Sequence, residues 1–325
     1  MDFRLALYEL AAQHRLDAQA TQKLQHLAGL NREPAALVHW LPRGVAVLGA
    51  AIGGLGIIFW IAANWDTLGR FGRFALLQSF FLVMCLGALW RPAARTPLGL
   101  LALLAIGGLF AYFGQTYQTG ADPWQLFAIW AVLALPLCLG VRSDVLWTPW
   151  ALVVMTAISL WVYAHTGHRW RVDANDLSIH MIGWSAALAL TFALSSALQR
   201  FTGAGPWALR TALTLTTLMI MVTALGGLFQ HEIAAHYWWG LVMLMLAAGA
   251  LASPWFFEVY GLSAASLALN TLIVSGMAHA FITGSVGDAI GALLLLGLAA
   301  AALLAATVSG IMRLSRHYQT QREPA

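Results

Sequence analysis

Apolar runs about as long as a lipid bilayer's interior is thick recur about ten times in this chain, and they constrain it more than any other feature. A helix needs roughly 20 apolar residues to cross a hydrocarbon core about 30 Å thick. Such runs fall at approximately 44–63, 71–90, 98–114, 124–140, 145–164, 179–198, 208–229, 237–252, 259–281 and 288–311. Lipid offers no partner to backbone N–H and C=O groups, so each run must be a helix that satisfies them internally. The expected fold is all-α, a polytopic integral membrane bundle of about ten transmembrane helices. Charged residues make up only 9% of the chain and apolar residues 60%, against roughly 25% charged in a soluble domain. That leaves too little polar surface to enclose a water-soluble core. Many of the fifteen tryptophans stand near run ends, which suits an aromatic belt at the membrane–water interfaces. The eighth run is short, and Ser253-Pro254-Trp255 either breaks or kinks the path into the ninth.

The distribution of positive charge supports this count and orients it. Ten spans put both termini on one side. That side collects Arg4, Arg15, Lys23, Arg32, Arg43, Arg91, Arg95, Arg142, Arg200, Arg210, Arg313, Arg316 and Arg322, and the other only Arg70, Arg73, Arg169 and Arg171. By the positive-inside rule both termini are expected in the cytoplasm, with the protein in a bacterial cytoplasmic (inner) membrane. The net charge of +4 comes with no basic stripe or nucleic-acid motif, so no nucleic-acid partner is expected. The first long run starts near Gly44, too late for a cleavable signal peptide.

Three domains are expected. Residues 1–43 read as a cytoplasmic amphipathic helical hairpin. Phe3, Leu7 and Leu10, then Ala20, Leu24 and Leu27, follow helical spacing, with Asp17 as cap of the second helix and Gly29 as its end. Pro34 and Pro42 are expected to bar smooth continuation. The hairpin cannot bury both apolar faces by itself, so it packs on the membrane domain, a lipid surface or a protein partner. Residues 44–311 form the bundle, and 312–325 a cytoplasmic basic tail.

Chemistry has two candidate places. Ala62-Ala-Asn-Trp-Asp66 ends the first span, and Gly114-Gln-Thr-Tyr-Gln-Thr-Gly-Ala-Asp122 ends the third, both on the side opposite the termini. Asn64, Trp65, Asp66, Gln115, Tyr117, Gln118 and Asp122 offer hydrogen-bond donors and acceptors beside an aromatic platform, a set suited to a sugar, an amino acid, a lipid head group or a metal. The plainer alternative makes the aromatics belt residues and the polar groups helix caps. The second place is a group of histidines on the same side, including His165, His168, His180, His231, His236 and His279. His165, His168, His231 and His236 are weak metal candidates, because neither His231–Glu232 nor His231–His236 has the i, i+4 spacing of a zinc helix. Solvated loop histidines are the commoner arrangement, and no metal or other cofactor is expected. Cys85 and Cys138 fall within spans and read as buried hydrophobes.

The A-N-W-D-like tetrad and the G-Q-x-Y-x-x-G stretch resemble those of a large bacterial family of multi-pass predicted membrane proteins catalogued as a domain of unknown function. The likeness rests on Asn64, Trp65, Asp66, Gln115, Tyr117, Gly120 and Asp122, with Ala121 adding one residue before the acid, and covers roughly residues 1–145. It implies a membrane protein and no particular activity. An internal echo is also present: Ala51-Ile-Gly-Gly-Leu55, Ala105-Ile-Gly-Gly-Leu109 and Ala224-Leu-Gly-Gly-Leu228. Paired glycines let helices approach closely, so the first and third spans are expected to touch there and bring their polar ends together.

No run carries a charge near its centre, where proton- and voltage-driven machines place one. P-loop, Rossmann, H-E-x-x-H and G-x-S-x-G patterns are absent, which argues against a soluble-style enzyme. Three readings follow. The chain binds or transports a small or lipid-linked solute through the polar cluster, it is a non-catalytic assembly or scaffold component engaging partner proteins, or it is an intramembrane enzyme acting on a lipid head group. The sequence leaves oligomeric state open.

Overall fold

The structure, a computed structural model, describes residues 9–14, 16–27, 35–64, 69–117, 120, 122–167, 172–283 and 289–320. Among them every regular element is helical. Residues 9–13 are helical and precede α1 (Ala18–Leu27). Ten longer helices follow: α2 (Ala35–Ala63), α3 (Arg70–Trp90), α4 (Arg95–Tyr117), α5 (Pro123–Val141), α6 (Asp144–Thr166), α7 (Leu177–Ala193), α8 (Pro206–Leu228), α9 (Ala235–Ala252), α10 (Val259–Thr283) and α11 (Ala289–Thr320). Among the described residues nine of these, α3 to α11, are long and apolar enough to cross a membrane, and α2 contains the apolar segment Gly44–Ile57. The protein is a polytopic membrane helix bundle.

From α3 onward packing follows chain order; α2 packs on α4, and α4 on α6 and α8 on α6 and α10 are further contacts. α8 and α4 are the two hubs, α8 touching α6, α7, α9 and α10 and α4 touching α2, α3, α5 and α6. Trp147, Trp184, Leu146 and Ile220 are almost wholly enclosed, Leu146 and Trp147 in the first turn of α6 and Ile220 halfway along α8.

Cross-links define two ends of the bundle. At one, Asp144 reaches the start of α8, and Tyr318 Oη donates to Ala252 O at 3.0 Å. At the other, Tyr112 Oη donates to Arg70 O, and the rings of Phe229 and His279 meet at 6.2 Å.

The Asp144 end is held by reciprocal capping. The first N–H groups of α8 have no partner within the helix. Asp144 supplies acceptors in their place. Its Oδ1 accepts from Gly205 N and Ala208 N at 3.2 and 2.9 Å, and its Oδ2 from Trp207 N at 2.8 Å. The preceding one-turn helix, Gln199–Thr202, has the opposite need for donors at its last carbonyls. Arg142 Nη2 donates to Arg200 O and Phe201 O at 3.2 and 2.9 Å, and Trp147 Nε1 to Thr202 O at 2.9 Å. An anion thus sits at a helix start and a cation at a helix end, the favourable sense for both dipoles. Gly203 makes the approach possible. Its φ is +68°, and a Cβ there would lie 2.6 Å from Arg142 Cβ.

Indole N–H groups stitch the middle. Trp130 Nε1 donates to Leu103 O at 3.0 Å, and Trp150 Nε1 to Ala131 O at 2.8 Å, joining α5 to α4 and α6 to α5. The belt expected for tryptophan is therefore shared with an internal set. Trp60, Trp90, Trp207, Trp238, Trp239 and Trp255 are exposed near helix ends, while Trp147 and Trp184 are buried.

Helix ends differ from expectation in three places, at the start of α2 and the ends of α7 and α11. α2 starts at Ala35 and carries Pro42 inside it, where a break had been expected. Pro136 and Pro149 also lie within helices. Membrane helices tolerate proline because neighbouring helices and local adjustments re-satisfy the freed groups. Pro254 does interrupt the path, since α9 ends at Ala252 and α10 begins at Val259. α7 ends at Ala193, short of the expected 198, and α11 runs past 311 to Thr320. Asp17 caps α1 as expected, its Oδ1 accepting from Ala20 N at 2.7 Å. Gly29 and Pro34 lie outside the described residues.

Asp144→Ala is expected to destabilise the bundle by about 2 kcal/mol, at the upper end for a lost helix cap. The measurement is the thermal unfolding midpoint in detergent, which should fall by several degrees, and by less for Asp144→Asn, which keeps one acceptor oxygen. An unchanged midpoint for the alanine variant would show that water replaces the carboxylate at no cost.

Candidate functional site

The motif residues of the first and third spans are partly visible. Asn64 closes α2, its Nδ2 donating to Trp60 O at 2.9 Å, which is a capping arrangement. Gln115 is exposed on the last turns of α4. Asp122 is exposed at the N-cap of α5 and makes no side-chain cap bond. Trp65, Asp66, Gln118 and the Tyr117 side chain lie outside the described residues.

α2 and α4 do pack together, but not glycine on glycine. A Cβ at Gly54 would lie 2.9 Å from Leu101 Cδ2, whereas Gly53 faces open space. Gly107 lies under the Trp130 indole, leaving the room that lets Trp130 reach Leu103 O. In the third echo, Cβ atoms at Gly226 and Gly227 would lie 2.7 Å from Val172 Cγ2 and 2.9 Å from His236 Cβ. The three echoes thus share a use, close approach, but each takes a different partner.

The third echo leads to the most polar buried place in the bundle. The short side chain of Gly227 lets α9 close in, and His236 on α9 is fully enclosed. Its ring meets that of His180 on α7 edge to face, with centroids 4.9 Å apart. His180 is 6% exposed and its Nδ1 lies 3.0 Å from Asp176 O. A carbonyl only accepts, so Nδ1 carries the proton. Both ring nitrogens of His236 and the Trp184 Nε1 are buried without a hydrogen bond of good geometry, the Asp176 backbone being the polar group that approaches the His236 ring. Buried polar groups are ordinarily paired, so this concentration of orphans stands out.

His180 also lines a groove of about 540 Å³ between α6, α7 and α8. Its polar wall is Thr156, Ser159, Tyr163, His180 and Thr223. Its apolar wall includes Leu152, Leu215 and Leu218, and Leu152 and Leu218 are exposed at the mouth. The groove follows α6 from Leu152 to Tyr163, 11 residues, or about 17 Å at 1.5 Å per residue. Two further cavities are more apolar. One of about 470 Å³ lies between α5, α6 and α7. The other, of about 360 Å³, lies at the Asp144 end, where Ser195 Oγ is buried without a partner and Glu258 pairs with Arg210 at 3.1 Å.

The remaining histidines are simpler. His231 is exposed, and His165 is exposed with Nδ1 2.8 Å from Trp161 O. His168 lies outside the described residues. Among the described residues no three His, Cys, Asp or Glu side chains gather closely enough to hold a metal. Apart from His180, the groove's polar residues were not singled out from the sequence. The signal was present: Thr156, Ser159 and Tyr163 stand at i, i+3 and i+7, a polar stripe on an otherwise apolar helix.

Replacing the unpaired buried imidazole by a hydrocarbon, His236→Leu, is expected to stabilise the fold by about 1–2 kcal/mol, the desolvation cost of unsatisfied polar atoms. The unfolding midpoint in detergent should rise by a few degrees. A lower midpoint would reveal a partner for the ring, such as an enclosed water.

No curated protein and no solved structure matches the chain. Residues 8–147, from the end of the hairpin's first segment through the start of α6, match the family described as "Predicted membrane protein (DUF2157)".

Proposed function

We propose that this protein binds an amphiphile, a lipid or a lipid-linked solute, in the groove between α6, α7 and α8. One observation carries this reading: the groove joins a polar end to an apolar trough and opens sideways through exposed Leu152 and Leu218. Its length of about 17 Å is close to half of a hydrocarbon core about 30 Å thick. A molecule with its head against the polar wall of Thr156, Ser159, His180 and Thr223 and its chain along Leu152, Leu215 and Leu218 therefore lies within one leaflet's depth.

The charge distribution supports a setting in a bacterial cytoplasmic membrane with the Asp144 end and both termini in the cytoplasm. The groove then serves the outer leaflet. The hairpin before α2 stands at the opposite face, free to meet a protein partner. Reporter fusions at the two termini should give cytoplasmic signals, and a periplasmic signal from either one rejects this orientation.

The binding reading is tested by native mass spectrometry of the full-length protein released from its membrane. A retained lipid-like adduct is expected, and Leu218→Trp, which fills the trough from a lipid-facing position, should remove it. An adduct that survives with unchanged occupancy places the amphiphile elsewhere and rejects the groove.

A further inference from the structure

We infer, building on the groove reading, that the groove selects amphiphiles whose head donates hydrogen bonds, a hydroxyl or an ammonium, over those bearing a bare phosphate. The argument is a count of hydrogens on the polar wall. A threonine hydroxyl has one proton to give. Thr156 Oγ1 gives its proton to Leu152 O at 2.8 Å, and Thr223 Oγ1 to Met219 O at 2.7 Å. Both oxygens are left with lone pairs only. His180 behaves the same way, because Nδ1 donates to Asp176 O and the neutral ring then presents Nε2 as an acceptor. Three polar residues from three helices thus face a ligand as acceptors. Ser159 and Tyr163 carry hydroxyls that serve in either role.

Charge points the same way. No lysine or arginine lines the groove among the described residues. Its polar end is bordered by Val172, which precedes Asp173, and by His180, which is bonded to the backbone of Asp176. A dianionic head would meet acceptor lone pairs and two nearby carboxylates, with no cation to offset its desolvation. A hydroxyl finds acceptors, and an ammonium finds acceptors and a favourable field. Arg169 and Arg171 lie outside the described residues, and the test includes them.

Three probes with one chain and different heads separate the possibilities: dodecanol, dodecylamine and dodecyl phosphate. Each is titrated against the full-length protein and bound adducts are counted by native mass spectrometry. Dodecanol or dodecylamine is expected to bind about tenfold more tightly than dodecyl phosphate, the effect of roughly one good polar contact. Which of the two leads tells whether the acceptors alone or the nearby carboxylates dominate. Thr156→Val and Thr223→Val keep the side-chain shape and remove the acceptor. Each should weaken the favoured probe several-fold and leave dodecyl phosphate unchanged. Equal binding of all three, or tightest binding of dodecyl phosphate, overturns the selectivity while leaving the groove in place. A phosphate preference lost in Arg169→Gln or Arg171→Gln overturns it too, and assigns selection to that loop. If no probe binds the wild type, the groove reading itself falls.

Discussion

The start of α8 depends on the Asp144 carboxylate, and much of the bundle depends on α8. That helix touches α6, α7, α9 and α10. Its first N–H groups have no partner within the helix. Asp144 meets three N–H groups at the start of α8 from more than 60 residues away in sequence. With Arg142 and Trp147 serving the carbonyls of the preceding turn, one short stretch fixes where α8 begins and which way it points. The groove walls inherit that direction, because Leu215, Leu218 and Thr223 take their places from the helix start.

Helix number and type were legible because lipid removes the alternatives. A run that cannot hydrogen-bond to its surroundings must bond to itself, and most run ends could be located to within a few residues, the start of α2 and the end of α11 being nine residues off. Helix ends were less legible where a residue changes meaning between water and lipid. Pro42 was expected to stop a helix and lies inside one, while Pro254 separates two helices beside Ser253. Tryptophan divides likewise. Trp60 and Trp255 stand exposed near helix ends, but Trp130 and Trp150 link helix to helix through backbone carbonyls. Nothing in the local sequence distinguishes the two uses, because the difference lies in which carbonyl a neighbouring helix presents.

The groove was the least legible feature for a related reason. Threonine and serine scattered through apolar helices read as ordinary membrane composition, since each hydroxyl can bond its own helix. Thr156 and Thr223 do bond their own helices, and they acquire a second role only because α6 and α8 stand side by side. His180 and His236 were expected among solvated loop residues and are instead stacked and enclosed. The reason lies in Gly227, whose missing side chain lets α9 approach. A glycine pair was visible in the sequence, but the identity of what it admits was not.

The clamp around Asp144 also bears on how such a chain can be inherited. The family match stops at residue 147, just after Arg142, Asp144 and Trp147. All three side chains are committed to residues 200–208, on the unmatched side of that boundary. The matched segment is therefore not a self-sufficient module. A crossover near residue 147 would part an acceptor from its donors and leave both ends of the contact to water. A chain that joined the matched segment to a different second portion would need another helix start for the carboxylate to hold.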